Sequence, residues 1–255
     1  MTAAQDTTGL TGGPITRYGG KGQIAHRILP HFASARIYLE PYFGAGGMFF
    51  AVPPGTYERE AVNDLDASLV TFFRVLRDRT DALVAAFELT PYARDEFAAC
   101  IAHAADDLEE ARRVWVRSRQ GFGGTSGSVG RWGRDTTSHG PWKAGHAEAK
   151  LAALRTYAAR LRHVEIDNID AIDFLGRWAG RDAFAYCDPP YVRATRRGDA
   201  YVHEMTDADH LRFAAACHAA VEHGARAFVR RDSVWEEVRL ARIDAALSRS
   251  GDVTP

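Results

Sequence analysis

Ala183-Phe184-Ala185-Tyr186-Cys187-Asp188-Pro189-Pro190-Tyr191 is an apolar strand that ends abruptly in Asp-Pro-Pro-Tyr. Two consecutive prolines stop a sheet ladder and hold the backbone open. The strand tip therefore presents a carboxylate, carbonyl oxygens that no ladder uses, and an aromatic ring. A planar heterocycle bearing an amino group fits that set. Its ring stacks on Tyr191, and its amine donates to Asp188 and the backbone.

Outward from this strand, short apolar runs alternate with helical patterns, which predicts an α/β fold. Arg36-Ile37-Tyr38-Leu39 reads as a first strand and Glu60-Ala61-Val62 as a second. A helix through Leu65, Leu69, Phe72, Phe73 and Leu76 follows. His163-Val164-Glu165-Ile166 is a third strand, Ala183 to Cys187 the fourth, and Ala225 to Val229 the fifth. Gln23 to Phe32 reads as a short helix, and Thr206-Asp207-Ala208-Asp209 as a capping box opening a helix through Val221. Residues 91–160 interrupt the alternation, helical at both ends with a glycine-rich centre from Gly121 to Gly145. The organisation expected is a disordered lead-in over 1–14, a catalytic domain from 15–90 and 161–239, an insert over 91–160, and an atypical tail over 240–255. The tail reads as an amphipathic helix and a polar end.

At 255 residues, one domain with a sizeable insertion is expected. No apolar run approaches membrane-spanning length, and Met1 to Gly13 lacks the apolar core of a signal peptide. Cys100, Cys187 and Cys217 stand far apart, which argues against a disulfide framework and a zinc cluster. A reducing, cytoplasmic location and no metal follow as expectations. Net charge is −1, but it is unevenly spread. Between Arg112 and Arg162 there are eleven basic residues against Asp135 and Glu148 alone, with Trp115, Phe122, Trp132, Trp142 and Tyr157 among them. Such a block suits a phosphate backbone with room for base contacts, or else an arginine-rich solvated helix pair.

Tyr38-Leu39-Glu40-Pro41-Tyr42-Phe43-Gly44-Ala45-Gly46-Gly47 is a strand followed by a glycine turn. Asp64 lies 20 residues after Gly44, at the tip of the next strand. That spacing suits a carboxylate on a ribose diol while the turn holds the rest of a nucleoside cofactor, or a plain strand–helix turn. Gly19-Gly20-Lys21-Gly22 lacks the glycine and hydroxyl residue of a phosphate loop, so a nucleoside triphosphatase is not expected. Lys21 meets a carboxylate or phosphate, or is simply exposed. Asp170 either accepts from an adenine amine or caps a helix. Arg193, Arg196 and Arg197 either meet phosphates or belong to a surface loop.

The order of a glycine–lysine segment, a Glu40–Gly46 loop, the Asn63-Asp64-Leu65-Asp66 strand tip, a basic insert and Asp188-Pro189-Pro190-Tyr191 resembles the Dam-like adenine-N6 DNA methyltransferases. The resemblance covers roughly Ile15 to Val221. It implies a Rossmann-like methyltransferase sheet with helices on both faces and a mostly helical inserted target-recognition region. It implies S-adenosylmethionine as cofactor, held by Arg17, Tyr18, Lys21, Glu40, Phe43, Gly44, Gly46, Asp64 and Asp170. Catalysis would fall to Asp188, Pro189, Pro190 and Tyr191, acting on an adenine flipped from the duplex. Double-stranded DNA would be the partner of a monomer. The residues expected on nucleic acid are Arg117, Arg119, Arg131, Trp132, Arg134, Lys143, Arg193, Arg196 and Arg197. A structured RNA substrate, or a relative that only binds nucleic acid, are the rival readings. Arg17 followed by Tyr18, and Arg230-Arg231-Asp232-Ser233 after the fifth strand, depart from the family pattern.

Overall fold

A computed structural model describes residues 10, 12–17, 19–122, 130–133, 143–178, 182–191, 203–231 and 234–237. The first helical segment is broken: a 3₁₀ turn at Gly22–Ile24, α1 (Ala25–Ile28), and a second 3₁₀ turn at Leu29–His31. Pro30, which cannot donate within a helix, accounts for the break. Then come β1 (Ile37–Glu40), β2 (Arg59–Asn63), α2 (Ala67–Asp78), α3 (Thr80–Glu88), α4 (Arg94–Ala99) and α5 (Asp107–Gln120). A short ribbon, β3 (Gly121–Phe122) and β4 (Arg131–Trp132), precedes α6 (Lys143–Leu161). The chain closes with β5 (Glu165–Asp167), α7 (Ala171–Trp178), β6 (Ala183–Cys187), α8 (Asp207–Glu222), β7 (Arg226–Arg231) and β8 (Val234–Glu237).

Six strands make one sheet in the order β5-β2-β1-β6-β7-β8. The first five run parallel, and β8 returns antiparallel to β7. This is the mixed α/β fold the pattern predicts, in the Rossmann-like form the family resemblance implies. Side chains divide by size across it. Tyr38, Val62, Phe184, Tyr186 and Phe228 point to one face, among an aromatic core with Phe49, Phe72 and Phe73. Ala61, Ala183, Ala185, Cys187 and Ala227 point to the other, under Phe174 and Phe213. The period of two that separates these sets is the strand's own. Small residues let α7 and α8 lie close to the sheet. The aromatics fill the wider space beneath α2, and each buried ring contributes about 1.5–3 kcal/mol.

The helices expected in an insert over 91–160 are part of this architecture. Helices α5 and α6 pack on α2, and Ala111, Val114, Trp115, Leu154, Tyr157 and Leu161 belong to the aromatic core. Tyr157 donates to the Gly12 carbonyl at 3.1 Å, and the Thr16 N–H donates to Ser118 at 2.7 Å. Gly12, Gly13 and Pro14 are thereby fastened down, against the expectation of a disordered lead-in reaching residue 14. Residues 1–9, the glycine-rich stretches 123–129 and 134–142, and the tail from 238 lie outside the described residues.

Other differences have local causes. Helix α2 starts at Ala67, not Leu65, because the Asp66 side chain accepts from the Ser68 N–H at 3.0 Å and caps it. Leu65 is left 47% exposed beside the strand tip. Strand β8 has no counterpart in the sequence reading. The capping box at Thr206 and Asp209 forms reciprocally, as expected.

Chain connections lead from β1 outward to β2 and β5, and from β6 outward to β7. The direction reverses between β1 and β6, and a crevice opens there, beyond the carboxyl ends of the strands.

Candidate active site

Glu40 ends β1, Asp64 follows β2 and Asp188 follows β6, so all three carboxylates arrive at that crevice. They line one cavity of about 290 Å³. The Glu40–Ala45 turn, Arg17, Gly19, Gly20, Lys21, Asp170 and Pro190 line it as well. The two stretches that the sequence reading required to meet therefore do meet.

Glu40 is 2% exposed and accepts from the Tyr38 hydroxyl at 2.7 Å. Burial raises its carboxyl well above the ordinary range. The charges of Asp188 and Asp64 push the same way, while the Tyr38 hydroxyl and the Phe49 N–H oppose them. Asp64 accepts from the Gly44 N–H at 2.7 Å and the Asp66 N–H at 2.9 Å. Burial raises Asp64 too, against the pull of Arg17 and those N–H groups. The turn between them needs its glycines. Gly44 and Gly46 have φ of +53° and +72°, and a Cβ on Gly46 would meet the Phe50 ring at 2.6 Å. Gly46 does not line the cavity but lets the turn lie on Phe43 and Phe50.

Asn63 holds the strand ends together, a role the sequence reading does not give it. Its amide donates to the Pro41 carbonyl at 3.1 Å and the Ile169 carbonyl at 3.0 Å, and accepts from the Ile169 N–H at 3.0 Å. Asp170 accepts from the Ile172 N–H at 2.8 Å, the contact of a helix cap on α7, and also borders the cavity.

Lys21 is only 7% exposed. Its ammonium pairs with Asp188, donates to the Gly19 carbonyl, and lies 5.4 Å from the centre of the Tyr191 ring. The glycine–lysine segment is thus joined to the Asp-Pro-Pro-Tyr corner. Arg17 reaches Asp66 at 2.8 Å. Pro189 and Tyr191 do not themselves line the cavity, but the Tyr191 ring faces Lys21, which does.

The far wall was not foreseen. His203, Glu204, Met205, Asp209, Arg212 and Phe213 line it. Tyr42 ties it to the glycine turn, donating to the Met205 sulfur at 3.6 Å and meeting the Phe213 ring edge-on at 5.0 Å. The capping box marks where α8 begins. Nothing in the pattern shows that the chain before it returns to the strand tips.

The residues expected on nucleic acid are not alike. Arg117 turns inward, donating to Glu110 and the Cys100 carbonyl, both at 2.9 Å. Arg119 donates to the Pro14 carbonyl and lies 5.0 Å from the Trp115 ring centre. Burial pushes its guanidinium down to about 10. Both were expected on nucleic acid, and here their guanidinium groups are engaged within the protein itself. Trp132 packs on Phe97, Cys100 and Val116, with Arg94 over its ring at 5.1 Å. Arg131 is exposed on β4. Lys143 begins α6, while Tyr18, Arg134, Arg193, Arg196 and Arg197 lie outside the described residues. Among the described residues no group of His, Cys, Asp and Glu is gathered as a metal would require, and no helix is long and apolar enough to cross a membrane.

Five parallel strands and one antiparallel, with an acid-lined cavity at the switch point and a Pro-Pro corner beside it, make the Rossmann-like fold that the methyltransferase resemblance implies. The chain belongs to the D12 class N6 adenine-specific DNA methyltransferase family, whose model matches residues 18–242. It is 25% identical over 196 residues to the DNA adenine methylases of Salmonella typhi and Salmonella typhimurium. The match covers 72% of this chain and 66% of each relative.

Proposed function

We propose that the protein is an S-adenosylmethionine-dependent methyltransferase acting on the exocyclic N6 amine of adenine in double-stranded DNA. One observation carries this reading above the rest: Asp188 and Pro190 share a single cavity with the Glu40–Ala45 turn and Asp64.

The donor set fits such a cofactor. Asp64 offers a carboxylate to a ribose diol, and Glu40 offers one to an α-amino group. Phe43 and Tyr42 supply apolar wall, and Lys21 supplies a cation. Asp170 borders the cavity where an adenine amine would need an acceptor. When bound, S-adenosylmethionine supplies an electrophilic methyl group on a sulfonium centre.

The chain's own residues must make a poor nucleophile attack. The lone pair of an adenine amine is conjugated into its ring. Asp188 and the Pro189 carbonyl accept its two N–H bonds, which favours a pyramidal nitrogen. Tyr191 offers a ring face that fixes the base. The nitrogen becomes cationic as it is alkylated, and the Asp188 carboxylate stabilises that growing charge. Much of the remaining acceleration is positioning. On the nucleic-acid side, Arg131 is the described cation that faces solvent; Arg134, Lys143, Arg193, Arg196 and Arg197 complete the proposed set.

Purified protein is incubated with labelled cofactor and unmethylated genomic DNA, and modified bases are mapped. N6-methyladenine at a defined sequence is expected. Asp188→Ala should abolish transfer while duplex binding survives. Transfer to RNA in preference to DNA, or binding lost in step with activity, would contradict the reading.

A further inference from the structure

Lys21 stands where the substrate amine is to sit. Its ammonium pairs with Asp188 and lies 5.4 Å from the centre of the Tyr191 ring. The base proposed above makes the same pair of contacts, an N–H to Asp188 and a face on Tyr191. An ammonium and a base amine cannot both occupy that place. At 7% exposure Lys21 is no loose surface side chain.

We propose that Lys21 is a positioning residue that keeps the amine subsite occupied until the α-carboxylate of the cofactor draws its ammonium away, so that cofactor binding opens Asp188 to the base. This rests on the cofactor reading above and adds an order of events to it.

The charges of the cavity support the exchange. Beside Glu40, its lining carries Asp64, Asp66, Asp170, Asp188, Glu204 and Asp209 as further acids. A carboxylate entering among them needs a cation. Arg17 holds Asp66 at 2.8 Å, and Arg212, 67% exposed, holds Asp209 at 3.4 Å. Lys21 is the buried cation, and its four-carbon stem carries three donors that can be re-aimed. Leaving Asp188 costs the Lys21 ammonium a charge-assisted contact, and a second anion offsets that cost. The pair therefore opens when a second anion arrives. A ligand shifts an equilibrium only through its different affinity for the two states, so a carboxylate-bearing ligand drives the change and one without the carboxylate does not.

The test is calorimetry with two probes, S-adenosylhomocysteine and 5′-methylthioadenosine. They share the nucleoside, and only the first has the amino-acid end. Asp188→Asn should bind S-adenosylhomocysteine about 10-fold more tightly than the parent, inside the usual range of coupling between sites, and methylthioadenosine equally. Lys21→Met should weaken only S-adenosylhomocysteine, and adding Asp188→Asn to it should change nothing further. Unchanged or weaker S-adenosylhomocysteine binding by Asp188→Asn overturns the proposal, as does an Asp188→Asn effect that persists without Lys21. If Lys21→Met does not fold by circular dichroism, the two-probe comparison on Asp188→Asn decides alone. A parent protein that binds neither probe would instead sink the cofactor reading itself.

Discussion

Gly13→Ala tests whether the segment before Lys21 is a structural part of the active site. A Cβ at this position would lie 1.7 Å from the Ala45 carbonyl oxygen. The obstacle is backbone, so no side chain can swing aside. Reaching an ordinary contact of 3.4 Å moves the segment by as much again. The bonds from Tyr157 to Gly12 at 3.1 Å, from Thr16 to Ser118 at 2.7 Å, and from Arg119 to Pro14 cannot stretch that far. At about 1 kcal/mol each, their loss costs about 3 kcal/mol. Restoring the segment around a ligand would then cost up to about 100-fold in affinity. The assay is calorimetric binding of S-adenosylhomocysteine together with thermal melting, where a drop of about 6–12 °C is expected. Gly176→Ala is the control. It lies in α7, its Cβ would meet nothing within 4 Å, and it should stabilise by about 0.5–1 kcal/mol. Parental affinity and melting temperature in Gly13→Ala would refute the idea that this segment is clamped.

Gly46→Ala combines a φ of +72° with a 2.6 Å approach to Phe50; a loss of about 2–4 kcal/mol is expected in denaturant melts, and a loss near zero would show that the turn relaxes freely. Glu40→Gln should alter how stability depends on pH. The folded protein keeps the Glu40 proton above the unfolded value of 4.5, so stability present below that pH is lost as pH rises toward the folded value. The glutamine variant lacks that loss and should gain on the parent from about pH 5 upward, whereas parallel pH profiles would contradict the assignment. Arg160 and Glu60 form a pair only 5% and 11% exposed, so Arg160→Met should cost about 3–5 kcal/mol by stranding Glu60. The double variant Arg160→Met, Glu60→Leu should recover most of it, and equal losses in both would argue against a charge effect.

Much of this was legible because strands carry their own period and their own stops. Ala183–Cys187 was bounded to the residue, since Asp-Pro-Pro admits no other end to the strand. The carboxylates at 64 and 188 were legible as strand tips, and parallel strands bring their tips to one edge. Charge was less legible. Counting along residues 112–162 finds a cationic block, but Arg112 and Arg113 pair with Glu109, Arg117 with Glu110, Arg155 with Asp81, and Arg160 with Glu60. Every one of those acids lies outside the window. A linear count cannot see partners that folding supplies, and for that reason Arg117 and Arg119 read as residues for nucleic acid. The wall made by Met205 and Phe213 stayed hidden for a related reason. Its placement depends on how α8 returns across the sheet, and no motif at 203–205 marks it.

The amide of Asn63 has a consequence for ligand choice. By gripping Pro41 and Ile169 together it sets the spacing between the loops after β1, β2 and β5. That side of the pocket behaves as a fixed jaw, a template that a ligand must match as it finds it. The opposing jaw, hung from Tyr42 by a thioether contact and a ring edge, is where shape can yield. Relaxed selectivity should therefore be sought by redesigning 203–213, and strict selectivity for the nucleoside end should survive it.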